Sequence, residues 1–248
     1  MEPVYGTAIR VARLLWRLQG LTFAVTGVEN VPRSGGAVVA INHTSYIDFL
    51  PAGLATRQRR RRIRYMLKAE MQDVRLVDFL IRRTRCIPVD RRAGGAAYAE
   101  AVRKLREGEL VGVYPEATIS RSFELKEFKS GAARMALEAE VPILPMIVWG
   151  AHRMWTKDHP RSLGRNKIPI TVAVGRPLPP HGSVTELDRR LRQAMTDTLR
   201  KVQETYPHPA GAYWVPKRLG GSAPSPAEAA RRDEIEMAER ARRSAKRA

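Results

Sequence analysis

The chain has 248 residues, of which 44% are hydrophobic and 28% are charged, and its formal net charge is +19. Length and composition are typical of a globular protein with one substantial core. The single cysteine, Cys86, excludes an internal disulfide and any cysteine-cluster metal site. The cationic excess predicts an anionic partner, which leaves nucleic acid, an anionic membrane surface and phosphorylated small molecules open.

Residues 1–20 predict an amphipathic helix at a membrane interface. Arg10, Arg13 and Arg17 fall at i, i+3 and i+7, beside a face of Val, Ile, Leu and Trp. An amphipathic helix packed on its own domain, with an arginine rim, fits the same pattern. The longest apolar stretch is about half of the ~20 residues that a membrane span requires. We therefore expect a peripheral protein at the cytoplasmic face of the cell membrane.

Strand-like and helix-like runs alternate along residues 21–205, which predicts a single α/β domain whose mainly parallel sheet is flanked by helices. The predicted strands lie near 23–27, 36–41, 64–68, 85–89, 110–114, 143–149 and 168–174. The predicted helices lie near 3–19, 48–56, 72–83, 95–107, 130–139 and 184–204.

Two segments depart from this globular pattern. The arginine cluster at 57–64 indicates either a solvated loop or a contact with an anionic surface. Residues 206–248 form a C-terminal extension with a Gly/Ser/Pro linker and a charged closing helix that has too few apolar residues to dock strongly. Within it, Tyr213 and Trp214 beside Lys217 suit either a second interfacial anchor or a cap on the domain.

A histidine and an aspartate five residues apart follow the second predicted strand. The stretch INHTSYID places His43 in the turn after the strand and Asp48 in the first turn of the next helix. A carboxylate on one ring nitrogen would fix the tautomer, so that the other nitrogen can accept a proton. The spacing alone is weak evidence, because a His-x4-Asp pair occurs readily by chance.

Further polar blocks end other predicted strands, and the carboxyl ends of parallel strands meet at one edge of a sheet. One block carries Glu116, Thr118 and Arg121, another ends in Arg91, and Lys129 precedes a helix. Cations and hydroxyls beside a general base suit a phosphorylated substrate. In contrast, His152 and His159 lie in a polar loop without carboxylates at ligand spacing, which favours surface histidines over a metal site.

Taken together, these blocks resemble the 1-acyl-sn-glycerol-3-phosphate acyltransferase (lysophosphatidic acid acyltransferase) family in order and spacing over residues 20–180. The matching positions are Gly27, Glu29, Asn30 and Pro32; Asn42, His43 and Asp48; Lys68, Glu70 and Met71; Val89, Asp90 and Arg91; Pro115, Glu116, Thr118 and Ser120; Phe128, Lys129, Gly131 and Ala132; and Val141, Pro142, Ile143 and Pro145.

Two positions depart from the family pattern. Ala117 stands where the family has glycine, and Ile119 stands where it has an arginine. One expected phosphate contact is therefore missing, and Arg121 is its natural substitute, with Arg91 and Lys129 beside it.

The resemblance implies acyl transfer from acyl-CoA or acyl-carrier protein to the sn-2 hydroxyl of 1-acyl-sn-glycerol 3-phosphate, which gives phosphatidic acid. It makes His43 the general base and Asp48 its partner, with Asn42, Lys68, Arg91, Glu116, Thr118, Arg121 and Lys129 binding substrate. Backbone N–H groups at the helix start would stabilise the oxyanion. No metal or prosthetic group is expected.

Other functions stay open. The acceptor could be another lysophospholipid or glycerol 3-phosphate. A nucleic-acid-binding protein would also explain the charge, although aromatic residues make up only 6% of the chain and no recognised binding motif occurs.

Overall fold

A computed structural model describes residues 3–90 and 94–245 of the chain. The seven strands are β1 (Thr22–Thr26), β2 (Ala37–Ile41), β3 (Ile63–Lys68), β4 (Ile87–Val89), β5 (Leu110–Val113), β6 (Ile143–Trp149) and β7 (Pro169–Val174). The helices are α1 (Pro3–Gln19), α2 (Phe49–Arg57), α3 (Arg75–Arg83), α4 (Gly94–Arg106), α5 (Gly131–Ala139), α6 (Val184–Thr205) and α7 (Pro226–Ala245).

All seven strands form one sheet in the order β1-β7-β6-β2-β5-β3-β4. Every neighbouring pair is parallel except β6 and β7, which run antiparallel. The mainly parallel α/β sheet predicted from the sequence is therefore confirmed. Strand β2 lies between β5 and β6, so that the segments following these three strands emerge side by side.

Two apolar layers cover the sheet, because strand side chains point alternately to its two faces. On one face Val38 and Ala40 of β2 pack with α4, α5 and α6. On the other face Val39 and Ile41 pack with Ala52 of α2. All five residues of β2 are buried, as expected for a central parallel strand.

The N-terminal helix α1 is attached to the domain on one side only. Trp16 is buried and its ring lies 4.7 Å from that of Phe23. Val11, Leu14 and Leu18 are more than half exposed, and Arg10, Arg13 and Arg17 are also exposed. The helix therefore packs on the domain and also presents apolar side chains outward, and its contact with a membrane stays a prediction.

The segment after α6 caps the domain. Trp214 and Val215 are buried in the main core, so this part of the extension is not an interfacial anchor. His152 is completely buried against Trp149 and Phe123, which makes the expectation of a surface histidine wrong. Burial lowers the pKa of His152 to about 3 and keeps its ring neutral.

The arginine cluster at 57–64 is partly structural. Arg61 donates to the carbonyls of Pro32, Gly35 and Gly108 at 2.7–2.8 Å. Arg64 is buried and pairs with Glu109 at 2.9 Å. These two arginines bind other segments of the domain, so they do not belong to a purely solvated loop.

Candidate active site

The two polar blocks predicted to share an edge of the sheet come together there. His43 follows β2, Glu116 follows β5, and these strands are parallel neighbours. The backbone N–H of His43 donates to Glu116 Oε1 at 2.8 Å, and the N–H of Ser120 donates to the His43 carbonyl at 2.7 Å. Parallel pairing thus brings residues 73 positions apart into direct contact.

His43 and Asp48 form the predicted pair. His43 Nδ1 lies 3.3 Å from Asp48 Oδ2, and the histidine side chain is 19% exposed whereas the aspartate is wholly buried. This geometry favours the tautomer with hydrogen on Nδ1, which leaves the lone pair of Nε2 to accept a proton. The imidazole is therefore positioned as a base that a ligand can reach.

Asp48 is held by the turn that it closes. Its Oδ2 also accepts from the N–H groups of Thr44 at 2.9 Å and Ser45 at 2.7 Å. Burial raises the pKa of Asp48, and the bonds from His43, Ser45 and Thr44 act against that rise. Because the N–H groups of Thr44 and Ser45 are committed to Asp48, they are not donors for an oxyanion.

Glu116 joins two loops through its carboxylate. Oε1 accepts from the N–H of His43, and Oε2 accepts from the N–H of Lys126 at 3.0 Å. The side chain is buried, and burial raises its pKa to about 7. Glu116 was predicted to bind substrate, but both of its oxygens bond the backbone of the protein itself.

Tyr114 supports the histidine ring, a role that the sequence did not reveal. Its ring stacks on that of His43 with centroids 4.1 Å apart and planes inclined by 22°. Burial raises the pKa of the Tyr114 phenol well above its ordinary value, so it stays neutral. Its position directly after β5 was the one available signal, since β5 ends beside β2.

Two other predicted substrate ligands have partners inside the protein. Asn42 is fully buried, and its amide group exchanges two hydrogen bonds with the backbone of Val148, at 3.0 and 2.7 Å. It ties β2 to β6 rather than facing a ligand. The hydroxyl of Thr118 accepts from Lys126 Nζ at 2.5 Å and so adjoins a cation that the sequence did not single out.

The predicted cations are placed unevenly. Lys68 ends β3 and is half-buried, while Lys129 is exposed and its N–H donates to the carbonyl of Pro115 at 2.8 Å. Arg91 lies outside the described residues. Ile119 is buried at 3% exposure, so no cationic side chain reaches the site from the family's arginine position.

Arg121, the predicted substitute for that arginine, is surrounded by carboxylates. It donates to Asp158 at 2.6 Å, to Glu236 at 2.8 Å and to Asp233. Burial lowers the pKa of Arg121, but the bonds to Asp158 and Glu236 outweigh burial, and the pKa lies above its ordinary value. Its expected role as a phosphate contact therefore competes with carboxylates of the chain itself.

A mainly parallel sheet with a histidine–aspartate pair at the carboxyl ends of its central strands places the chain in the class of α/β proteins that bind ligands at that edge. The family model described as Acyltransferase matches residues 22–149. The chain belongs to the acyltransferase family.

Curated relatives agree with this assignment. A 1-acyl-sn-glycerol-3-phosphate acyltransferase from Borreliella burgdorferi is 28% identical over 150 residues, which cover 58% of this chain and 57% of that protein. A probable 1-acyl-sn-glycerol-3-phosphate acyltransferase from Mycoplasma pneumoniae is 31% identical over 155 residues, which cover 60% of this chain and 58% of the relative. The chain thus spans less than two thirds of the length of these relatives.

A solved structure shares the fold. The 1-acyl-sn-glycerophosphate (LPA) acyltransferase PlsC from Thermotoga maritima superposes with a TM-score of 0.63 at 20% identity, covering 82% of this chain and 85% of that one. At this level of identity the likeness concerns the architecture of the sheet and its helices.

Proposed function

We propose that the chain transfers an acyl group from acyl-CoA or acyl-carrier protein to the sn-2 hydroxyl of 1-acyl-sn-glycerol 3-phosphate. The observation that carries the proposal is the contact between His43 and buried Asp48 at the carboxyl end of β2. The names of the curated relatives support the choice of acceptor.

In the proposed reaction, His43 Nε2 removes the proton from the acceptor hydroxyl as its oxygen attacks the thioester carbonyl. Asp48 stabilises the imidazolium through Nδ1. The tetrahedral intermediate then collapses, the carbon–sulfur bond breaks, and the leaving thiolate takes the proton from the imidazolium. The histidine–aspartate pair supplies the base, so this reaction requires no metal or prosthetic group.

The remaining residues of the site act on the position of the base. Glu116 fixes the backbone of His43, Tyr114 supports one face of the ring, and Asn42 ties the end of β2 to β6. We assign the acceptor's phosphate to cations on this edge, which include Arg121 and Lys129 among the described residues, with Arg91 as a further candidate. Lys68 and Thr118 border the same region.

We also propose that the protein works as a peripheral enzyme on the cytoplasmic face of an anionic membrane. No helix in the described ranges 3–90 and 94–245 is long and apolar enough to cross a bilayer. Helix α1 exposes Leu14 and Leu18, and the adjoining α3 exposes Leu76 and Phe79. Exposed apolar side chains with flanking arginines suit insertion at a lipid surface.

The catalytic proposal is tested with His43→Ala. General-base catalysis contributes roughly 10²–10⁴-fold, so acyl transfer should fall by that factor while folding is unchanged. The assay follows labelled acyl-CoA with 1-acyl-sn-glycerol 3-phosphate, glycerol 3-phosphate and other lysophospholipids as acceptors. His181→Ala, at an exposed histidine, is the matched control. Near-normal turnover by the His43 variant would overturn the mechanism, and labelling of a different acceptor would overturn the substrate assignment.

A further inference from the structure

Two carboxylates of the C-terminal helix α7 contact a cluster of three cations beside the active site. Asp233 pairs with Arg121 and Lys126, and it lies 3.6 Å from Lys157. Glu236 lies 2.8 Å from both Arg121 and Lys157. The two acidic residues are three positions apart and therefore share one face of the helix.

The segment that carries two of these cations, Arg121 and Lys126, is bonded to the turn of the base. Lys126 donates its backbone N–H to Glu116, the same carboxylate that accepts from the N–H of His43. Arg121 follows Ser120, whose N–H donates to the His43 carbonyl. Arg121 and Lys157 also line a cleft of about 430 Å³ between the domain and α7, which α7 lines with Arg232, Ile235, Glu236 and Glu239.

Without the carboxylates of α7, the net charge of the cluster matches that of a phosphomonoester. Arg121, Lys126 and Lys157 carry three positive charges, and Asp158 on the domain neutralises one of them. The remaining two are balanced by Asp233 and Glu236. A phosphomonoester carries about −1.5 to −2 charge at pH 7 and three acceptor oxygens, so it could replace both α7 carboxylates.

Helix α7 is attached in a way that permits displacement. Ala229 is buried, but the larger apolar residues Ile235 and Met237 are more than 60% exposed. Near the cation cluster, α7 is therefore held to the domain largely by ion pairs, which salt and competing anions weaken. The charged helix that the sequence predicted to dock weakly docks through carboxylates instead of an apolar face.

We propose that Arg121, Lys126 and Lys157 form an anion-binding site for the phosphomonoester of the acceptor, which Asp233 and Glu236 occupy until the substrate displaces them. This inference rests on the proposed acyl transfer for the identity of the ligand. The position of the site beside His43 then makes α7 an internal competitor of the acceptor. Release of the acidic residues and entry of the phosphate are a single exchange of anions.

The double variant Asp233→Asn/Glu236→Gln tests the exchange, because amides keep the shape of the helix and remove the competing charges. Titration calorimetry with glycerol 3-phosphate at fixed ionic strength should give binding at least about tenfold tighter than wild type. The control Glu204→Gln/Glu234→Gln changes net charge equally at exposed positions and should bind like wild type. Adding Lys157→Ala to the first variant should abolish the gain. Equal affinity in the wild type and the first variant, or an equal gain in the control, would overturn the proposal.

A measurement on the unmodified protein covers the case in which the double variant does not fold. Hydrogen exchange over residues 226–239 should accelerate when glycerol 3-phosphate is added, while sodium chloride at equal ionic strength should have a smaller effect. Unchanged exchange at saturating ligand would overturn the displacement. Neither the calorimetry nor the hydrogen exchange requires turnover. If acyl transfer fails but both measurements give the expected results, only the proposed function is refuted. If acyl transfer succeeds but both measurements fail, only the role of α7 is refuted.

Discussion

The substitution Asp48→Asn isolates the charge of the aspartate from its geometry. Asp48 Oδ2 accepts from the ring of His43 and from the N–H groups of Thr44 and Ser45, whereas Oδ1 is buried without a hydrogen-bond partner. The two N–H donors require an acceptor at the Oδ2 position, so an asparagine should place its oxygen there. The ring would keep its Nδ1–H tautomer and lose the negative charge beside it, while the amide NH2 would take the place of the buried, unpartnered Oδ1.

The size of the effect follows from the 3.3 Å between the two side chains. At an effective dielectric constant of about 20, opposite unit charges at this distance attract by roughly 5 kcal/mol. The partial exposure of His43 screens some of this, which leaves about 3–5 kcal/mol for stabilisation of the imidazolium in the transition state. We expect kcat/KM to fall by roughly 10²–10⁴-fold, since about 1.4 kcal/mol corresponds to a factor of ten.

The assay is release of CoA thiol from acyl-CoA in the presence of 1-acyl-sn-glycerol 3-phosphate, corrected for the one protein thiol, Cys86. Asp197→Asn, at an exposed position of α6, should have normal kinetics. Asp48→Ala should also lower stability, because it leaves two buried N–H groups unpaired at about 1–3 kcal/mol each. If Asp48→Asn retains more than a tenth of the wild-type kcat/KM, the carboxylate charge does not assist proton transfer.

Three further predictions concern pH, backbone strain and membrane contact. Burial holds the pKa of Glu116 at about 7, so its stabilising effect is present at low pH and is lost as pH rises from about 4.5 to 7. The free energy of unfolding, measured by urea denaturation, should fall by up to about 3 kcal/mol over this pH range, and the fall should be absent in Glu116→Gln. Parallel pH profiles of stability for the wild type and this variant would contradict the prediction. Ala117 has a φ of 59°, where alanine is strained, so Ala117→Gly should raise the melting temperature by about 2–4 °C. The control Ala99→Gly within α4 should lower it. Equal shifts in the two variants would show that the backbone at Ala117 is not strained. Leu18→Gln should weaken binding to anionic vesicles about three- to tenfold, and the equally polar change Leu163→Gln should not, as a sedimentation assay would show.

The sequence predicted the sheet well because buried strands and their breakers are local signals. Helix α2 begins one residue after the predicted start, and β6 matches its predicted range. The contact between His43 and Asp48 was also predictable, since both residues belong to one turn. The antiparallel pairing of β6 with β7 was not, because nothing within either strand specifies the direction of its neighbour.

The roles of individual polar side chains were harder to predict because their partners are distant in sequence. Glu116 resembled a substrate ligand until the adjacency of β2 and β5 gave its oxygens two backbone donors. Arg121 and Asp233 are 112 residues apart and meet only after α7 returns to the domain. His152 lies in a polar stretch but points into an aromatic core, which composition alone could not reveal.

The turn that carries His43 is bonded to two other segments of the chain, residues 116–120 and 155–156. Besides the bonds from Ser120 and to Glu116, Ser45 Oγ donates to the carbonyl of Trp155 at 2.6 Å. The hydroxyl of Thr156 donates to the backbone carbonyl of Thr44 at 2.7 Å. A base anchored in this way has little freedom to follow a misplaced acceptor. Selectivity would then be geometric: an alcohol is acylated according to how closely its headgroup brings the hydroxyl to a fixed nitrogen. Lengthening or shortening the spacer between phosphate and hydroxyl should therefore cost turnover more than it costs binding.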